Sequence, residues 1–144
     1  MNKIKILSLV VITMALAFTS CNSLKKNATN ALIKEFISAG NELANIELRM
    51  FNNKSFKMKM DFLPSMDMGS KLEKFDFNGT WELVNNKYEL KFKGKHPDLN
   101  ALFDNKLSPS KDIKILDERS FSFPADAKGI YIWGIYCPLK SIKN

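Results

Sequence analysis

The sequence predicts a mainly β protein, an antiparallel meander that forms a small barrel or a curled sheet. Two observations support this prediction: apolar and polar residues alternate in several segments after residue 45, and asparagine-rich turns separate these segments. The chain has 144 residues, of which 45% are apolar and 26% are charged. This composition suits one hydrophobic core and excludes a disordered chain, so we expect a single domain over residues 31–144.

The N-terminus has the pattern of an export signal. Lys3 and Lys5 precede an apolar run over residues 6–18, which would extend about 20 Å as a helix. This length is typical of a signal peptide and too short to span a bilayer. The run ends in Phe18-Thr-Ser-Cys21, which resembles the lipobox of bacterial lipoproteins, with Phe18 where leucine is usual.

This resemblance implies that residues 1–20 are a signal peptide cleaved between Ser20 and Cys21. The Cys21 sulfur would then carry a diacylglyceryl group, and its new amine would be acylated, with palmitate for example. Several acyl chains on one residue are sufficient for stable membrane anchoring. The alternatives are an ordinary secretory signal and an uncleaved anchor.

Residues 21–30 are polar and are predicted to tether the domain to the membrane. Lipoproteins of enteric-type bacteria that remain in the inner membrane often carry Asp directly after the lipidated cysteine, where this chain has Asn22. Some surface export signals are acidic, whereas Lys25 and Lys26 are basic. By this resemblance we expect a lipid anchor in the outer membrane of a Gram-negative cell envelope, with the domain facing the periplasm.

The chain carries a basic excess. Cleavage before Cys21 would remove two lysines and lower the formal net charge from +7 to +5. With only two arginines, Arg49 and Arg119, the chain offers no arginine cluster for bidentate phosphate contacts, so we expect no nucleic-acid partner. The lysines are expected to solubilise the surface or to contact anionic membranes.

The first element of the domain is predicted to be an amphipathic helix over residues 31–39. Between Leu32 and Ile37, apolar residues recur at positions i, i+1, i+4 and i+5, and Gly40 follows as a stop signal. Two hairpins come next, because the alternation changes to a period of two and turn residues interrupt it. The hairpins join residues 46–50 to 56–62 through Asn52-Asn53-Lys54, and residues 81–83 to 88–92 through Asn85-Asn86.

The C-terminal third mixes a short helix with strands. Leu99, Leu102 and Phe103 have helical spacing, which predicts a short helix near residues 97–107. Residues 112–117 and 120–123 are predicted strands. Residues 130–137 are predicted to form the longest apolar strand, and because both of its faces are apolar, we expect it to be central or covered on both sides.

The segment 46–92 resembles small bacterial lipocalin-like lipoprotein domains. The residues that carry this resemblance are Leu48, Phe51, Phe56, Gly79-Thr80-Trp81 and Leu90. The resemblance covers about a third of the chain and implies an up-and-down or calycin-like barrel, in some members with an apolar ligand inside. It therefore predicts a lipocalin-like domain that acts by binding.

Signals of catalysis are weak. The sole histidine, His96, precedes Pro97 in a predicted loop, and the sequence has no Gly-x-Ser-x-Gly nucleophile motif. It also lacks a glycine-rich phosphate loop and a metal-ligand spacing. We therefore expect no enzyme activity, no cofactor and no bound metal. Cys137, the one thiol left after lipidation of Cys21, is predicted to be buried and inert.

Five residues are candidates for an apolar ligand pocket: Met58, Met60, Trp81, Phe92 and Trp133. The alternative is that they only pack the core. The pairs Met58/Met60 and Met66/Met68 also allow a third hypothesis, Cu(I) handling, because thioethers prefer that ion.

The sequence therefore favours a membrane-anchored envelope lipoprotein that binds an apolar ligand or an envelope partner without catalysis. The alternative is a structural or assembly accessory that binds a protein through a sheet edge or through the Leu32–Ile37 helix face.

Overall fold

A computed structural model describes residues 30–40, 43–64, 71–103 and 112–142. The predicted signal peptide, Cys21 and nearly all of the tether lie outside these residues. The described elements are β1 (Leu32–Ile37), β2 (Ala44–Phe51), β3 (Ser55–Phe62), β4 (Glu73–Val84), β5 (Lys87–Lys93), α1 (Leu99–Phe103), β6 (Lys114–Asp117), β7 (Ser120–Pro124), β8 (Gly129–Ile132) and β9 (Ile135–Pro138).

Seven strands form one antiparallel sheet in the order β1-β2-β3-β4-β5-β7-β6, and β8 pairs with β9 in a second sheet. The mainly β meander is therefore confirmed, with one departure: β7 pairs with β5, and β6 lies outside it at the edge. No ladder among the described strands joins the edges β1 and β6, so the main sheet is not a closed barrel.

The main sheet is strongly curled. The ring of Phe36 on β1 lies 5.5 Å from the ring of Phe123 on β7, although four strands separate these two in the sheet. The Lys34 ammonium likewise lies 5.5 Å from the ring centroid of Tyr88 on β5. These contacts across the concave face enclose the hydrophobic core without edge-to-edge pairing.

The two predicted hairpins are confirmed as β2–β3 and β4–β5. Alternate residues of β2 and β3 are buried, as expected for a sheet with one core face and one solvated face. In the second turn Asn85 and Asn86 have φ angles of 48° and 61°. Tight hairpin turns of this kind need positive φ at both central positions, which asparagine tolerates better than most residues.

The predicted helix over residues 31–39 is wrong, because Leu32–Ile37 form the edge strand β1. Phe36 pairs with Leu48 on β2, and a register irregularity lies between Leu32 and Lys34. A nine-residue helix is marginal by itself, whereas the edge of β2 offers a row of unpaired backbone groups. The ladder hydrogen bonds and the burial of Phe36 against the core favour the strand.

The predicted long strand over residues 130–137 is also wrong, because it is the β8–β9 hairpin. The chain reverses at Trp133 and Gly134, whose φ angles are 51° and 72°. Glycine adopts positive φ without strain, so Gly134 makes this turn possible. Leu139, just after β9, then forms an isolated bridge to Phe36 of β1, which docks the hairpin against the main sheet.

The short helix is confirmed as Leu99–Phe103; residues 104–107 of the predicted range lie outside the described part of the chain. Its apolar side chains Leu99, Leu102 and Phe103 are buried, and the ring of Phe103 lies 4.7 Å from that of Phe121 on β7. Across the described ranges, no helix is long and apolar enough to cross a membrane.

Candidate functional site

An apolar cleft of about 260 Å³ opens at the end of the sheet where β3 ends and β4 begins. We call it the aromatic cleft. It lies between these strands, α1 and the β8–β9 turn. Its lining residues are Met60, Phe62, Phe75, Phe77, Lys95, His96, Pro97, Asp98, Ala101, Leu102 and Trp133.

The floor of the aromatic cleft comes from the inward-facing residues of β3 and β4. Met60 and Phe75 are cross-strand partners, and the rings of Phe62 and Phe75 meet edge to face at 5.8 Å. Phe77, two residues further along β4, stacks on Phe75 at 6.2 Å. Aromatic rings in such a continuous arrangement present a broad apolar surface with fixed geometry.

Trp133 forms one wall of the cleft. Its backbone N–H donates to the Leu102 carbonyl of α1 at 2.7 Å, and its indole meets the ring of Phe62 edge to face at 4.5 Å. The side chain nevertheless remains 39% exposed. The hydrogen bond to α1 and the contact with β3 therefore hold a large, partly solvated aromatic ring in position at the cleft mouth.

Among the described residues, the polar side chains that line the cleft come from one segment, residues 95–98. Asp98 accepts the backbone N–H of Asn100 through its carboxylate at 2.9 Å, as an N-terminal cap of α1. His96 Nδ1 lies 3.0 Å from the Pro97 carbonyl, and this contact is a hydrogen bond in the tautomer that carries its proton on Nδ1. Lys95 places its ammonium 5.8 Å from the ring centroid of Phe75. These groups can orient a ligand whose apolar part contacts the aromatic rings.

The predicted ligand residues fall into two groups. Met60 and Trp133 line the aromatic cleft. Met58, Trp81 and Phe92 are buried in the hydrophobic core and do not line it. The sequence did not single out Phe62, Phe75 and Phe77 as site residues. One sequence feature could have indicated them: Phe62 is the last apolar residue of one alternating segment, and Phe75 and Phe77 are the first of the next.

Trp81 lies at the opposite end of the sheet. Its indole N–H donates to the Phe51 carbonyl at 3.0 Å, and the Lys54 ammonium lies 4.0 Å from its ring centroid. Trp81 therefore packs the region around the β2–β3 turn, remote from the cleft.

Only one of the two methionine pairs lies within the described residues. Met58 and Met60 belong to the hydrophobic core cluster, whereas Met66 and Met68 lie outside the described residues. The described positions fit the interpretation in which methionine fills an irregular core.

A second hollow, of about 470 Å³, adjoins the cleft at His96 and Asp98 and extends to Asp117 and Glu118. Its lining is mixed, with several carboxylates and few large apolar side chains. It therefore offers less apolar contact area than the aromatic cleft, which we take as the candidate binding site.

A cluster of charged side chains at the start of the sheet has a structural role. Buried Glu35 accepts from Arg49 Nε at 2.7 Å and lies 3.3 Å from Lys140 Nζ. Burial by itself would raise the pKa of Glu35, but the hydrogen bonds and charges of Arg49 and Lys140 outweigh it and lower the pKa. This cluster ties the segment after β9 to β1, where the Lys140 N–H also donates to the Glu35 carbonyl.

The described residues contain no catalytic arrangement of side chains that we can identify. Within these ranges, no three or more His, Cys, Asp or Glu side chains converge as metal ligands. Burial raises the pKa of the Cys137 thiol to about 12, so it remains a thiol that contacts the Ile135 carbonyl at 3.6 Å.

None of the protein-family models, curated proteins and solved structures compared with the chain matches it.

Proposed function

We propose that the protein is a membrane-anchored envelope lipoprotein that acts as a non-catalytic binding module, with the aromatic cleft as its binding site for an apolar group. The observation that carries this proposal is the cleft itself, in which Trp133 and Phe62 offer partly exposed aromatic surface beside buried Met60 and Phe77. Ligand sites are typically concave, mostly apolar and largely preformed.

The size of the cleft limits the ligand. Its volume of about 260 Å³ is below the range of roughly 300–1,000 Å³ typical for drug-sized ligands. The interior of the curled sheet is filled by buried side chains such as Phe56, Phe92 and Phe121. We therefore expect the ligand to insert one alkyl chain or one ring at the mouth, rather than to occupy an internal cup as in a lipocalin.

The position where the tether enters the domain supports an orientation in which the cleft faces away from the anchoring membrane. Ala31, next to the tether, exchanges hydrogen bonds with Asn52 in the β2–β3 turn. The aromatic cleft lies at the other end of β3, whose eight residues span about 23 Å at 3.3 Å per step. A domain tethered through Cys21 in the outer membrane would then present its cleft to the periplasm.

Tryptophan fluorescence tests the cleft. In a Trp81→Phe variant, Trp133 is the single tryptophan and reports on its own site. Titration with linear alcohols should change its emission, and each added methylene should lower the Kd about fourfold until the cleft is full. An unchanged emission with every alcohol would overturn the proposal.

A steric variant localises the binding. Ala101 lines the cleft on α1, so Ala101→Phe should fill the cleft and weaken alcohol binding at least tenfold. The matched control is Leu83→Phe, because Leu83 is exposed on β4 and does not line the cleft. Equal binding by both variants would place the alcohol elsewhere and contradict the assignment.

Metabolic labelling tests the anchor. Cells grown with a clickable fatty acid should label the wild-type protein and not the Cys21→Ser variant, because the variant lacks the sulfur that takes the diacylglyceryl group. Undiminished label in the variant would refute lipidation at Cys21.

One observation favours a second candidate function, an assembly accessory that binds a protein partner. Leu43, Leu63 and Leu72 are exposed and adjacent: the Leu63 N–H donates to the Leu43 carbonyl, and Leu72 precedes Glu73, the partner of Phe62. The helix face considered from the sequence does not exist, because Leu32–Ile37 are a strand.

Site-specific photocrosslinking in cells tests this alternative. A crosslinker at Leu63 should give a discrete protein adduct, whereas one at the exposed control position Leu83 should not. The absence of an adduct at Leu63, or the same adducts at both positions, would count against a protein partner at the leucines.

A further inference from the structure

We infer that the aromatic cleft selects a free alkyl carboxylate, as opposed to a lipid within a membrane, and that Lys95 confers this selectivity. The inference rests on the proposed function, because it assumes that the cleft binds an alkyl chain. It adds the chemical class of the ligand and the residue that recognises its polar end.

Lys95 is placed at the end of the cleft floor. It follows Gly94, whose φ of 67° turns the chain as it leaves β5. Its ammonium lies 5.8 Å from the centroid of the Phe75 ring, within the range of a cation–π contact. An alkyl chain lying on Phe75 would therefore bring an attached head group close to this ammonium.

Lys95 forms no ion pair with a carboxylate of the described residues. Within the described residues the three ion pairs involve Arg49 and Lys140, and none involves Lys95. Among the described residues that line the cleft, Asp98 is the acidic one, and its carboxylate accepts the Asn100 N–H and caps α1. Glu73 lies two residues before Phe75 on the same strand but does not line the cleft.

This combination of groups favours one ligand chemistry. The apolar floor would bind an alkyl chain, and the Lys95 ammonium, which no described carboxylate pairs with, would attract a negative head group at the end of that chain. A neutral head group would gain only the apolar contacts, and a cationic head group would be repelled. An alkyl carboxylate satisfies both parts of the cleft.

The test compares decanoate with decanol, below their aggregation concentrations, using Trp133 fluorescence in the Trp81→Phe background. Because Lys95 is exposed, we expect a modest preference: decanoate should bind about fivefold more tightly than decanol at low ionic strength. The preference should shrink as ionic strength rises from about 0.01 M to about 1 M, where the Debye length falls to roughly 3 Å.

Two variants test whether Lys95 causes the preference for decanoate over decanol. Lys95→Gln should remove the preference for decanoate and leave the affinity for decanol within about twofold. Lys93→Gln is the matched control, because Lys93 is an exposed lysine of β5 that does not line the cleft. It should retain the full preference.

Every outcome decides between the two proposals. If decanol binds and decanoate binds no more tightly, or if the preference survives Lys95→Gln, the inference is wrong and the cleft remains an apolar site. If neither ligand binds, the proposed function falls as well. If the protein instead binds phosphatidylglycerol vesicles through Lys95 and not decanoate, the anionic group is a membrane phosphate and the inference is overturned.

Discussion

Replacing Trp81 should separate its packing from its hydrogen bond. The side chain is 5% exposed, its indole N–H donates to the Phe51 carbonyl at 3.0 Å, and its ring meets that of Tyr88 at 5.3 Å. Trp81→Ala removes these contacts, leaves a cavity and takes one donor from the Phe51 carbonyl, which still accepts the Lys54 N–H at 3.1 Å. We expect a loss of about 3–5 kcal/mol in the free energy of unfolding.

Trp81→Phe retains most of the apolar contact but cannot donate to Phe51. We expect this variant to lose about 1–2 kcal/mol. Urea unfolding followed by circular dichroism measures both values, since removal of a tryptophan makes fluorescence a poor probe. The matched control is Leu83→Ala, an exposed position on the same strand that should stay within about 0.5 kcal/mol of the wild type.

The reasoning fails if Trp81→Ala costs less than about 2 kcal/mol, well below the usual range for a buried aromatic residue. It also fails if Trp81→Phe is as destabilising as Trp81→Ala, because packing and hydrogen bonding would then not be separable at this site. The first result would mean that the inward orientation of alternate β4 residues is incorrect.

Three further predictions concern Gly79, Glu35 and Cys137. A Cβ at Gly79 would collide with the Lys91 carbonyl and the Phe56 ring. Gly79→Ala should therefore lower the melting temperature far more than the control Gly94→Ser, which meets no neighbouring atom and costs only strain at positive φ. Similar melting temperatures of the two variants would contradict the close contact at Gly79. Glu35→Gln should cost about 2 kcal/mol near pH 7. Because the folded pKa of Glu35 is lowered, its contribution is present above the ordinary value of about 4.3 and is lost as pH falls through the folded pKa. The difference from wild type in urea unfolding should therefore shrink in acid, and a difference independent of pH would refute the assignment. The Cys137 thiol should react with a thiol reagent only after denaturation, and rapid labelling of the native protein would show that it is not buried.

The two hairpins were predicted correctly because the sequence signals for them are local. In β2 and β3 every second residue is apolar, and burial of one face follows directly from that alternation. The turn at Asn85 and Asn86 was predictable because these side chains tolerate positive φ. Both signals lie within about ten residues of sequence, and neither depends on distant parts of the chain.

The cleft was only partly predicted, because local patterns do not show which apolar residues reach the surface. Met60 and Met58 lie on one face of β3, and alternation cannot tell which of them ends at a surface opening. Trp133 was a sound candidate, but its position depends on a turn at Gly134 inside a run that otherwise fits a strand. Whether an apolar side chain fills the core or lines a cleft depends on which distant segment covers it.

By itself, the sequence determined the antiparallel hairpins, the asparagine turns, the short helix and the apolar character of the strand faces, because each follows from local periodicity and backbone preference. Only the tertiary structure decided that residues 32–37 form a strand, that β7 lies between β5 and β6, and that the β8–β9 turn meets β3 and α1 to form the aromatic cleft. The physical reason is that these features depend on pairing and packing between segments far apart in the chain, whose free energies exceed the weak local preferences.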